Sequence, residues 1–132
     1  MPNHRRAPAA LLILALAAVR PSSAQATPAD STALRLAQGK RLFEGKGLCF
    51  SCHGTQGEGV LGPTTRLAEG KVWLHTKGTL PEIVALIKQG IESEKSQSGT
   101  AMPSRGGSRM TDAEVELVAA YIIELHSRTP TK

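Results

Sequence analysis

An all-α fold is what this 132-residue sequence predicts. Apolar residues recur at helical spacing near both ends, capping patterns open the two later helical segments, and no stretch alternates apolar with polar residues as a half-buried strand does. Internal repeats and low-complexity tracts are absent, and the length corresponds to one domain.

The first helix spans about Ser31 to Glu44, with Leu36, Gly39 and Phe43 on one face and Thr27 to Asp30 as a flexible lead-in. Glycine lowers helix propensity by up to about 1 kcal/mol, so Gly39 implies the close approach of another helix. From Lys46 to Gly62 glycine is dense and Pro63 closes the run, which makes this a loop around a short helical turn. Thr79 and Glu82 form a capping pair for a helix that runs to Gln89 and stops at Gly90, with Ile83, Leu86 and Ile87 as its apolar side. Glu92 to Arg109 is polar and aperiodic, a loop in which Met102 is the chief apolar exception. Thr111-Asp112-Ala113-Glu114 is a second capping box, opening a last helix through Val115, Val118, Ala119, Ile122 and Leu125 to about His126.

Ahead of these elements, basic residues up to Arg6 precede an apolar run from Ala7 to Val19 and small residues at Ser22 to Ala26. That order is the pattern of a secretory signal peptide, expected at residues 1–26 with cleavage after Ala24 or Ala26. The run is shorter than the roughly 20 apolar residues that span a bilayer, so no stable membrane insertion is expected after cleavage. The expected product is a soluble, extracytoplasmic or periplasmic domain over residues 27–132, with its core at about 31–128.

The formal charge of +5 includes Arg5, Arg6 and Arg20 of that leader, which carries no acid. Without them 13 basic residues face 11 acidic ones, a balance that makes no case for nucleic acid. Phe43, Phe50, Trp73 and Tyr121 are the only large aromatic residues, few for a core of this size, so an apolar cofactor would supply missing bulk.

Both cysteines lie in Cys49-Phe50-Ser51-Cys52-His53, the C-x-x-C-H pattern of covalent haem attachment. Residues three apart on a helical turn face the same way, so both sulfurs reach neighbouring vinyl groups and His53 follows with an imidazole for the iron. The rivals are weaker. Thiol-disulfide sites of this spacing sit in a βαβ context, and zinc wants ligands that only His75 or His126 begin to offer. The glycine run at Gly54 to Gly62 lacks the Lys-Ser/Thr ending and preceding strand of a phosphate loop.

Cys49 to His53, Gly62-Pro63 and Ala101-Met102-Pro103, set between two terminal helices, resemble a class I monohaem c-type cytochrome over essentially the whole mature chain. The resemblance implies crossing terminal helices, one haem c in the core, and axial ligands supplied from loops. It makes His53 the proximal ligand, Pro63 the source of a backbone carbonyl to its imidazole, and Met102 the distal ligand. Read from the residues alone, the sixth position stays open among Met102, Met110, His75, His126 and no ligand, although Met110 has a packing role as a staple on Val115. Trp73 either flanks the haem or packs as an ordinary core residue. The expected function is one-electron transfer by a monomeric, non-enzymatic carrier, with redox proteins such as a dehydrogenase, an oxidase or a bc-type complex as partners. The alternatives are a cytochrome subunit of such a complex and, should Met102 not bind, an open-site sensor or peroxidase.

Overall fold

The computed structural model describes residues 27–69 and 72–128, and the expected signal peptide at 1–26 lies outside them. Four helices carry the described chain: α1 (Pro28–Glu44), α2 (Phe50–His53), α3 (Leu80–Gln89) and α4 (Asp112–Ser127). Three 3-10 turns join them, at Pro63–Thr65, Ser93–Lys95 and Ser104–Gly107. Among the described residues there is no strand, only one isolated antiparallel bridge between Ile91 and Met102.

Each long helix begins where a side chain satisfies the free N–H groups of its first turn. For α4, the Thr111 N–H donates to Glu114 at 2.7 Å and the Glu114 N–H donates to the Thr111 hydroxyl at 3.2 Å. In α3 the Glu82 carboxylate accepts from the Thr79 hydroxyl at 2.9 Å and from the Lys77 N–H at 3.1 Å. The expected lead-in at 27–30 is instead a third box: Thr27 and Asp30 cap each other and Pro28 occupies the first turn, so α1 starts three residues earlier than periodicity placed it. The apolar face begins only later in α1, which is why periodicity missed its start.

The terminal helices cross at Gly39. A Cβ there would stand 2.2 Å from the Leu117 carbonyl oxygen and 2.9 Å from the Tyr121 Cβ, so only glycine lets the two backbones approach this closely. Beside the crossing, Phe43 meets Tyr121 edge-on with ring centroids 5.5 Å apart. Val115, Val118, Ala119 and Leu125 of α4 are fully buried, and α3 adds Ile83 and Ile87. Met110 and Val115 share this core, as the staple requires. The helices thus frame a cleft, and the loops between them furnish its chemistry.

Candidate haem site

On one wall of the cleft, α2 is a single helical turn that places Cys49, Cys52 and His53 together. Its end is fixed by the loop that follows: Gly59 N–H donates to the His53 carbonyl at 2.8 Å and Val60 N–H to the Cys52 carbonyl at 3.0 Å. The two thiols are not joined to each other. Burial pushes the Cys49 thiol up to about 11, so it stays neutral in this apolar wall.

His53 is held by its ring. Its Nδ1 lies 2.7 Å from the Thr65 carbonyl oxygen, and since a carbonyl only accepts, Nδ1 carries the proton and donates. Nε2 is therefore left with a free lone pair, the state a metal ligand needs. Burial holds the imidazole below its ordinary pKa and outweighs the opposing hydrogen bond to the Thr65 carbonyl, so the ring is neutral at physiological pH.

The acceptor corrects the expectation placed on Pro63. Pro63 opens the 3-10 turn, and its own carbonyl is engaged by the Arg66 N–H at 3.3 Å. The free carbonyl is that of Thr65 at the end of the turn, whose side chain is buried and hydroxyl-bonded to the Gly62 carbonyl at 2.9 Å. A backbone carbonyl has no residue identity, so nothing in the sequence marked Thr65.

Met102 reaches the same cleft from a different segment. Its N–H and C=O both pair with Ile91, each bond 2.8 Å long, which closes the polar loop 92–101 into a defined excursion. Gly90 lies directly behind, where a Cβ would come within 2.5 Å of the Met102 carbonyl oxygen and 2.7 Å of the Ser104 nitrogen. The sequence shows only a polar, aperiodic loop around Met102; what holds it is a pair of backbone bonds and a glycine, which leave no periodic signal. Met110 is buried in the helix core and is not among the cleft-lining residues.

The remaining candidates also border the cleft. His126, expected to serve the end of α4, stacks on Trp73 with centroids 3.8 Å apart and planes 20° from parallel. Trp73 in turn leaves no room for a side chain at Gly78. His75 is exposed at the rim. No group of three or more His, Cys, Asp or Glu among the described residues forms a metal cluster, so the zinc reading has no donor set.

The donors present fit a haem. Two unpaired thiols stand three residues apart, a neutral imidazole has one nitrogen free, a thioether shares the cleft, and Ile83, Ile87 and Ile122 give apolar walls. Residues 34–122 match the family described as cytochrome c oxidase, cbb3-type, subunit III. The chain belongs to this family. It is thus a c-type cytochrome domain that carries covalently bound haem c and serves electron transfer, and Cys49 and Cys52 have the spacing of the attachment motif. No curated protein and no solved structure matches the chain. The cytochrome has the small all-α form its class implies, with its terminal helices packed together.

Proposed function

We propose that this cytochrome is an exported one-electron carrier whose haem is bonded to Cys49 and Cys52 and ligated by His53 and Met102. The observation that carries the reading is the shared cleft: an imidazole whose Nδ1 is committed to Thr65 and a thioether anchored through Ile91 border the same space as both thiols. Bound haem iron supplies a reversible change between ferrous and ferric states. The chain supplies the rest. Thr65 fixes the orientation of the His53 ring and raises its donor strength. The Ile91 pairing keeps Met102 in one backbone position, so that charge changes with little movement of the protein. The apolar walls limit water and favour the reduced state, in the same direction as a thioether ligand.

The family match favours one partner class, an oxidase complex, over a free-standing dehydrogenase donor. Among the described residues no helix is long and apolar enough to cross a membrane, so association with such a complex would run through protein contacts. Export is supported by the leader pattern of residues 1–26.

The test is an absorption spectrum of holoprotein made in a host that attaches haem outside the cytoplasm. The ferric protein is expected to show the weak near-infrared band of sulfur ligation, and Met102→Ala to abolish it and open the ferrous iron to carbon monoxide. A wild-type protein that lacks the band and binds carbon monoxide freely refutes the carrier reading in favour of an open-site protein.

A further inference from the structure

The segment that follows Met102 is held by contacts of an unusual kind. Ser104–Gly107 is a 3-10 turn in which Arg105 takes a left-handed backbone conformation (φ 53°, ψ 29°). A non-glycine residue adopts this region at a cost and keeps it only where its surroundings hold it there. What holds Arg105 is its guanidinium: Nη1 donates to the Met110 carbonyl at 2.8 Å and Nη2 pairs with the Asp112 carboxylate in the first turn of α4. Asp112 is also paired with Lys88 of α3 at 2.7 Å, and the Ser104 hydroxyl donates to the Lys88 carbonyl at 2.6 Å. One network thus ties the turn to the end of α3 and to the start of α4.

The turn also closes on the haem-attachment side. Gly106 packs so tightly on Gly47 that a Cβ would lie 2.1 Å from the Gly47 oxygen, with Cys49 Sγ 3.9 Å away. Met102, Pro103 and Gly106 line the cleft, whereas Arg105 does not. Its side chain is a quarter exposed while that of Asp112 is open to solvent, so the part-buried hydrogen bond to the Met110 carbonyl is the component of the latch least weakened by solvent screening.

We propose that Arg105 is a positioning residue for the distal ligand: it latches the Ser104–Gly107 turn to α4 and so keeps the Met102 thioether at the iron. This rests on Met102 ligation as proposed above. Upstream, Ile91 fixes the Met102 backbone; downstream, Pro103 leads directly into the turn. The apolar burial that normally fixes a loop is missing from 103–109, whose residues are exposed or half-buried, so the polar latch bears the constraint. A single guanidinium spans two acceptors on different residues in fixed geometry, which a lysine ammonium does not reproduce.

The experiment compares wild type, Met102→Ala, Arg105→Ala, Arg105→Lys and Val118→Ala holoproteins. Val118 is a core residue away from the cleft and serves as a control for general destabilisation. The readouts are the near-infrared ferric band and the fraction of ferrous haem that binds carbon monoxide, with thermal stability measured alongside. Arg105→Ala, which removes both guanidinium bonds, should raise the carbon-monoxide-accessible fraction at least roughly tenfold, the effect of losing a single charge-assisted bond, with Arg105→Lys intermediate and Val118→Ala unchanged despite lost stability. If Arg105→Ala keeps the wild-type band and accessibility, the latch is overturned and methionine ligation stands. If Val118→Ala opens the site as far as Arg105→Ala does, Arg105 is merely structural and the proposal fails. A wild type lacking the band, indistinguishable from Met102→Ala, overturns the ligation reading and the latch together.

Discussion

At the scale of single residues, chemistry-bearing side chains were legible and their backbone partners were not. Cys49, Cys52 and His53 announce themselves by type and spacing, Met102 stood out only through the family resemblance, and all four border one cleft. The carbonyl that orients His53 belongs to Thr65 rather than Pro63, because the turn engages the proline carbonyl on Arg66. The consequence is testable. Pro63→Ala should leave the near-infrared band unchanged and lower stability by no more than about 1 kcal/mol, the entropic effect of a turn proline, as measured by chemical denaturation. Gly39 differs, since its need for a bare Cα follows from a helix crossing that its presence in a helix already hinted at. A Cβ 2.2 Å from the Leu117 oxygen has no flexible atom to displace, so Gly39→Ala should destabilise by roughly 1–3 kcal/mol, the range for overpacking, despite alanine's better helix propensity.

Among the elements, α3 and α4 were readable almost to the residue because a capping box opens each and marks a boundary independently of burial. The start of α1 was misjudged because its box precedes its apolar face by several residues. Loop 92–109 was readable only as a loop; its two 3-10 turns, the Ile91–Met102 bridge and the Arg105 network arise from tertiary pairing with no local period. Thr111→Ala removes one half of the α4 box and should cost about 1 kcal/mol, seen as a lower denaturation midpoint with an unchanged slope. The α4 start is also a place where acid should act. Hydrogen bonds from Lys88 and then Arg105 hold the Asp112 carboxyl below the usual carboxylate range, and Lys46 followed by Thr111 does the same for Glu114. Groups with a lowered folded pKa add stability above their unfolded pKa and lose it as pH falls through the folded value. Thermal stability should therefore be flat on this account from pH 7 to about 5 and fall below about pH 4, with the near-infrared band fading in the same range.

For the whole molecule, the arrangement explains how so few aromatic residues suffice. The protein core gathers around Phe43, Tyr121 and the aliphatic face of α4, while Ile83, Ile87 and Ile122 face the cleft, where an apolar macrocycle completes their packing. A Cys49→Ala/Cys52→Ala double variant, unable to attach haem, should thus unfold at lower denaturant with a shallower transition than the holoprotein, measured by far-UV circular dichroism. The family and the fold establish a haem c electron-transfer domain, and the proposed account adds that its haem is attached at Cys49 and Cys52 and exchanges one electron while its ligands stay in place. A potentiometric titration of the purified holoprotein, followed through haem absorption, tests this most directly. The account predicts one reversible one-electron wave from haem that remains on the polypeptide through denaturation; haem that dissociates on denaturation, or a wave that differs between oxidative and reductive directions because a ligand is exchanged, would contradict it.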